Sequence, residues 1–156
     1  MALKPDRYEH RTDISYFMTD VAERGIIVVH DTAGSGAAMD SSKAKVKIPA
    51  TVSGSNPVGL LLNDVVSLDL TRQHINFHQD EQQSGGKVTL LREGFIVTNK
   101  VSGTPTVGAS AYYNLLGELC ATSPVATNPA YTQPSVGRFL SVKDTDGYIK
   151  VDIHIV

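Results

Sequence analysis

The chain has 156 residues, of which 41% are hydrophobic and 19% are charged, and its formal net charge at pH 7 is −2. This length favours one domain, or one domain with an attached arm, and allows a sizeable core. The weakly acidic charge and the absence of any Lys/Arg run argue against nucleic-acid binding, which usually needs a basic face. The single cysteine excludes an intramolecular disulfide framework and a multi-cysteine zinc site.

The first 24 residues are polar and aromatic, and their only apolar cluster is 13–18. They show neither a long helical period nor a clean alternation, so we predict an N-terminal arm (1–24), or a short helix that docks elsewhere, followed by one domain (25–156). The N-terminus has no apolar signal core, and the longest apolar runs are far shorter than a membrane span. We therefore expect a protein that is made in a cytoplasm and stays soluble there, with no membrane partner.

After the arm, the sequence is a series of short β candidates separated by Gly, Pro, Asn and Ser. No window longer than about ten residues keeps the spacing of a buried helix, whereas short strands at this spacing predict an all-β sandwich or barrel. Cys120 lies in one of these strands, where we expect a small apolar filler and not a nucleophile. The predicted strands are 25–30, 44–48, 59–62, 65–70, 87–91, 95–99, 111–113, 118–121, 136–142 and 148–156.

Two hairpins are predicted in some detail. Glu93-Gly94 and Asp146-Gly147 each separate two strand-like runs, and glycine supplies the positive φ of a tight turn. The last strand alternates cleanly from Ile149 to Ile155, so one face is predicted to be core and the other to be wet. His154 belongs to the wet face.

The most polar segment, TRQHINFHQDE at 71–81, invites a metal-site interpretation because His74 and His78 are four residues apart. A zinc protease motif needs Glu after the first histidine, and Ile75 stands there instead. Ile75 and Phe77 are in phase with each other and out of phase with the histidines, which favours a surface strand with outward polar side chains. Such a neutral, hydrogen-bonding strand suits a contact with another protein. A metal site remains the alternative.

Three stretches resemble capsid decoration (cement) proteins and related small structural proteins of tailed bacteriophages, including marine ones. They are a G-x-K-V-x-L stretch after the polar segment, a G-T-P-x-x-G-x-x-A-Y loop, and a closing V-G-R-F-L-S…D-x-D-G-Y-x-K-V hairpin. The likeness covers roughly residues 57–156 and extends less fully to the opening MALKPDRYEHRTDISYFM.

The resemblance implies a single compact β-barrel or β-tulip-like domain, often a homotrimer, on the outer surface of a phage head. Such proteins bridge neighbouring copies of the major capsid protein and stabilise the shell, often by means of an N-terminal arm. It implies no enzymatic activity, no catalytic residue and no cofactor. Deleting residues 1–18 is expected to abolish head binding and to leave a folded domain. The predicted contact residues are Pro5, Tyr8, Ile14, Tyr16 and Phe17 in the arm and Arg72, His74, Asn76 and His78 in the polar strand.

Two groups of alternatives remain open. The nearer one is another phage structural component, such as a tail tube or the base of a tail or head fibre. The more distant one is a metal-dependent enzyme or a sugar-binding β-domain, although sugar-binding modules usually expose more aromatics than a chain without Trp and with 6% aromatic residues offers.

Overall fold

The computed structural model describes residues 2–31, 44–67, 81–125 and 132–156. Within these ranges the chain forms β-strands and no helix, which confirms the all-β prediction. The strands are β1 (Tyr8–Met18), β2 (Ile27–His30), β3 (Lys45–Lys47), β4 (Pro57–Leu61), β5 (Asp64–Val66), β6 (Glu81–Gln83), β7 (Lys87–Thr98), β8 (Val101–Ser102), β9 (Ser110–Tyr113), β10 (Leu119–Cys120), β11 (Gly137–Phe139) and β12 (Ile149–His154).

Five strands pair in a ring. The order is β1-β3-β2-β4-β7, and β7 pairs back onto β1. The β1–β3 pair is parallel and the other pairs of the ring are antiparallel. Strand β7 continues beyond the ring and pairs with β12, after which the sheet runs through β11, β9 and β10 to β8. Strands β5 and β6 form a separate parallel pair.

Two apolar cores lie on opposite sides of the wall formed by β2, β4 and β7. The small core lies on the ring side and includes Met18, Val28 and Leu90. The large core lies between the wall and the sheet around β12 and includes Ile27 and Leu91. A strand that is buried on both faces needs an unbroken apolar run, which explains the sequence from Ile26 to Val29.

The predicted hairpin at Glu93-Gly94 is wrong, because β7 runs without a turn from Lys87 to Thr98. Gly94 has a φ of 144° and lies directly opposite Glu9 of β1. A Cβ at this position would overlap the carbonyl group of Tyr8. The glycine therefore permits a close approach of two strands in place of a turn.

The predictions for the C-terminal hairpin are confirmed. Gly147 has a φ of 85°, and its N–H donates to the Asp144 carbonyl at 3.1 Å. The Asp144 carboxylate also accepts the N–H groups of Asp146 and Tyr148, at 3.0 and 2.7 Å. Along β12 the apolar residues are buried and His154 is exposed.

The N-terminal segment is paired along one edge of β7. Leu3 bridges to Thr98, and β1 continues the pairing from Tyr8↔Phe95 to Phe17↔Lys87. Leu3 is 2% exposed in the large core and Met18 is 0% exposed in the small core. The short-helix alternative is therefore wrong for residues 8–18. Whether the segment also acts as an arm that reaches a partner stays a prediction.

Tyr113 connects the large core to two loops. Its hydroxyl lies 2.7 Å from the Ser55 hydroxyl and 3.2 Å from the Ser55 carbonyl oxygen. Its carbonyl accepts the Gln133 side-chain amide at 2.8 Å. Burial raises the pKa of Tyr113, while hydrogen bonds from Ser55 and Gln133 act in the opposite direction. The hydroxyl is therefore a neutral donor at physiological pH.

We expect Tyr113→Phe to lower the free energy of unfolding by about 1–2 kcal/mol, because it leaves polar groups of Ser55 without their partner. Urea denaturation measures this change. Tyr112→Phe is the matched control, since Tyr112 is the half-buried neighbour on the opposite face of β9. Equal midpoints for the two variants would contradict this role of the Tyr113 hydroxyl.

Candidate interaction surface

The predicted contact residues fall into two groups with different outcomes. Arg72, His74, Asn76 and His78 lie outside the residues that the structure describes. Their role as a contact strand stays a prediction, and so does the alternative of a metal at His74 and His78.

The five predicted contact residues of the N-terminal arm differ in their exposure to solvent. Pro5 is exposed, and Tyr8 and Ile14 are 55% and 50% exposed. Tyr16 and Phe17 are half-buried, and the Tyr16 ring packs against the small core. Three of the five predicted arm residues thus belong to the outer surface, whereas the other two mainly secure β1 to the ring.

Tyr8 is part of a row of side chains that crosses three strands, which we call the aromatic column. The Lys150 Nζ lies 4.0 Å from the centre of the Phe95 ring. Phe95 and Tyr8 have ring centres 5.9 Å apart at an angle of 24°, and Tyr8 and His10 are 6.2 Å apart at 23°. Cation–π and offset ring contacts of this kind each contribute about 0.5–1.5 kcal/mol.

Two lysines on this surface pair with nearby carboxylates, and one of them, Lys150, belongs to the column. Lys150 Nζ lies 3.7 Å from Asp6, and Lys4 Nζ lies 3.9 Å from Asp144 and 4.2 Å from the centre of the Tyr148 ring. These ion pairs reach solvent, so each contributes little to stability. The surface as a whole combines aromatic area with both signs of charge.

The first half of β1 is exposed on both of its faces. Every residue from Tyr8 to Thr12 is exposed, although a strand normally buries at least one face. This half is held by the ladder to β7, by the aromatic column and by Arg11, which donates to the Ile155 carbonyl at 2.9 Å. Exposed aromatic area on an otherwise uncovered strand is the feature of the described residues that best fits a protein contact.

A charged cluster lies further along β1. Arg92 Nη1 is 3.5 Å from Asp13, and the His30 ring meets the Tyr16 ring edge-on at 5.5 Å. Partial burial and the Arg92 guanidinium hold the pKa of His30 below its ordinary value of 6.5, and the Asp13 carboxylate only partly offsets them. The cluster joins β1, β2 and β7.

This lowered pKa predicts a loss of stability on the acid side. The unfolded chain binds a proton at His30 more readily than the folded chain, so stability is highest above pH 6.5 and falls as the pH drops towards the folded-state pKa. We expect His30→Gln to lose less thermal stability than the unaltered protein between pH 7.5 and about pH 5. Thermal melts at both pH values test this, and identical losses would contradict it.

Two surface concavities border the described strands. One, of about 420 Å³, is lined by Val21, Ala22, Val65 and Val66 with Glu23, Asp64 and Glu81. Glu23 is paired with Lys100 at 2.6 Å, and Asp64 accepts the Arg24 N–H at 2.8 Å. The carboxylates of Glu23 and Asp64 therefore connect distant segments of the chain.

The other concavity, of about 480 Å³, includes Cys120 in its lining. The thiol donates to the Thr122 carbonyl at 3.2 Å, and burial raises its pKa. A protonated thiol is a poor nucleophile. The position of Cys120 in β10 is consistent with the expected strand filler, although it is half-buried and not fully buried.

Within the four described ranges, no group of three or more His, Cys, Asp or Glu side chains is placed to hold a metal ion. The same ranges contain no helix long and apolar enough to cross a membrane.

The sequence predicts a contact role for Tyr8 but gives none to its neighbours in the column. It predicts a strand through Phe95 and no role for His10 or Lys150. The alternation along β12 was the available signal for Lys150, because it places that residue on the wet face. The pairing of β1 with β7, which brings Tyr8 to Phe95, leaves no signal in either segment alone.

No protein-family model matches the chain, and no curated protein sequence is significantly similar to it.

Proposed function

We propose that this protein is a non-enzymatic structural protein of a tailed bacteriophage, which coats the outer surface of the head and stabilises it. Its partners are subunits of the major capsid protein and further copies of the same chain. The contact with the shell is made by the exposed half of β1 and the aromatic column.

The observation that carries this proposal is the exposure of β1 from Tyr8 to Thr12 on both faces. In an isolated molecule this half-strand has little apolar burial to hold it. Against a partner, Tyr8 and Ile14 would add buried area, and the flanking charges of both signs would form a polar rim. Tyrosine near the centre of such a patch is a common hot spot.

In this fold, the motifs that carry the phage resemblance form loop hydrogen bonds and close contacts between strands. Gly108 of the G-T-P loop donates to the Phe139 carbonyl at 2.8 Å, and Phe139 donates to the Ala109 carbonyl at 2.9 Å. Gly137 allows the close approach of Asp152 on the neighbouring strand. These motifs therefore support a shared scaffold more directly than a shared contact surface.

The fold that we infer is a small β-barrel with an attached sheet. The ring of pairings from β1 through β3, β2 and β4 to β7 supports this inference, because ring pairing gives every member strand two neighbours. A barrel of this kind keeps β1 at the outer surface of the domain, which suits repeated docking on a regular shell.

Head binding tests the proposal through Tyr8→Ala. We expect this variant to stay folded, because the ring is 55% exposed, and to bind purified heads about 10- to 30-fold more weakly, the loss typical of a moderate hot spot. Co-sedimentation of the protein with undecorated heads measures the affinity.

Val107→Ala is the matched control, since Val107 is an exposed apolar residue in the loop before β9. It should bind heads normally. If Tyr8→Ala and Val107→Ala bind equally well, the assignment of the surface is wrong. If the unaltered protein does not bind heads at all, the proposed function is wrong.

Self-association is the second part of the proposal. A homotrimer multiplies modest contacts with the shell, because each copy raises the effective concentration of the others. The mass of the native protein in solution tests this: three times the chain mass supports a trimer, and a ring of six copies would favour a tail-tube component.

A further inference from the structure

The exposed half of β1 lies between two anchors. On the N-terminal side, Leu3 is buried, and the Lys4 N–H donates to the Val97 carbonyl at 2.9 Å. On the C-terminal side, Met18 is buried and the Phe17 N–H donates to the Ala44 carbonyl at 2.8 Å. Residues 5–16 lie between these anchors, and we call the first part of this stretch, residues 5–13, the strap.

The pairing of the strap with β7 is irregular. Its register shifts between Glu9 and Arg11, between Arg11 and Thr12, and again between Asp13 and Tyr16. At the last shift the Asp13 carboxylate accepts a hydrogen bond from the Ser15 N–H at 2.8 Å and a second one from the Ser15 hydroxyl. A side-chain bond of this type replaces part of the regular ladder and marks a place where a strand can bend.

Strand β7 does not depend on the strap for its position. Its other edge pairs with β4 at Leu90 and Leu91, and with β12 from Glu93 to Thr98. The side chains that β7 buries, including Leu90 and Ile96, lie in the two cores and not under the strap. Removing the strap from β7 therefore exposes the face of Phe95 that Tyr8 covers, but not the side chains of the two cores.

We propose that residues 5–13 open as a unit while both anchors and both cores stay folded, and that this opening uncovers the β7 edge between Leu90 and Phe95. The aromatic column and the Arg11–Ile155 hydrogen bond act as the latch. Regions with few buried apolar contacts open locally at a fraction of the global unfolding free energy. The opening of the strap is thus a property of the fold, and this proposal does not depend on the proposed phage function.

Hydrogen–deuterium exchange of the full chain tests this proposal. We expect peptides covering the strap to exchange at least about tenfold faster than peptides covering β12, because local opening is easier than global unfolding. Tyr8→Ala removes the centre of the latch, so it should speed exchange in the strap a further several-fold. Exchange in β12 should rise by no more than the same factor, because the opened and the unfolded states both lack this contact.

Phe139→Leu provides the opposite case, since it weakens the large core without touching the strap. It should speed exchange in β12 and leave the strap unchanged. The proposal is overturned if the strap and β12 exchange at the same rate, or if Phe139→Leu accelerates both by the same factor. Either result would mean that the strap opens only when the whole domain unfolds.

Discussion

Deleting residues 2–18 is expected to unfold the domain. The deletion removes Leu3 from the large core and Met18 from the small core, and it takes β1 out of the ring. Each buried side chain contributes about 2–5 kcal/mol on truncation, and the lost ladder adds to this. The total reaches the whole stability of a typical domain, about 5–15 kcal/mol. Circular dichroism and urea denaturation of the truncated protein measure the outcome.

From the sequence alone, deletion of residues 1–18 is expected to abolish head binding and to leave a folded domain. From the structure, we expect the truncated domain to unfold instead. Since the segment carries core residues, loss of head binding after truncation would not distinguish a missing contact from a missing fold. The control is a full-length variant with Tyr8, His10 and Thr12 changed to Ser, all of which are exposed and which should leave the fold intact. A truncated protein that unfolds cooperatively at the original urea midpoint would refute the placement of β1.

Gly94→Ala is expected to be the most damaging single substitution in β7. A methyl group here would overlap the Tyr8 carbonyl, and the φ of 144° is a backbone conformation that only glycine adopts easily. The strands can separate at this point only if the strap opens and the contacts of the aromatic column are lost. We expect a loss of about 3 kcal/mol or more in the free energy of unfolding, combining backbone strain with the steric conflict.

Gly54→Ala is the control for the backbone contribution. Gly54 also has a positive φ, 72°, but a Cβ there would meet no atom within 4 Å. It should cost only about 1 kcal/mol. Urea denaturation of both variants gives the comparison. Equal losses would show that the close approach of β1 to β7 is not what requires the glycine at 94.

The parts of the fold that were predictable are those where local pattern and tertiary environment agree. The alternation from Ile149 to Ile155 specified both the strand and its buried face, because a period of two has one simple structural meaning. Asp146-Gly147 specified its turn, because Asp144 and the glycine satisfy the turn locally. Most of the remaining short strands, from β2 to β11, were placed within a few residues.

The errors arose where a non-local partner decides the structure. Glu93-Gly94 has the composition of a turn, and only the presence of the Tyr8 carbonyl explains why the strand continues instead. Strand β1 has no clean alternation because half of it is exposed on both faces and its register shifts three times. Its strand conformation is imposed by the β7 edge and not by its own sequence.

The same distinction, between features set by local sequence and features set by a distant partner, applies to the candidate surface. Composition pointed to Tyr8 and Ile14 as exposed contact residues, and both are exposed. It also pointed to Tyr16 and Phe17, which lie after the register shift at Asp13 and are half-buried. The column formed by Lys150, Phe95, Tyr8 and His10 depends on the register of three strands, and no short stretch of sequence specifies that register.

Electron cryomicroscopy of the phage particle that contains this protein would locate the domain. We expect density for the domain on the outer surface of the head, in many copies, with the exposed half of β1 and the aromatic column facing the shell. Density for the domain in the tail, or a head whose surface lacks it, would mean that the proposed function is wrong.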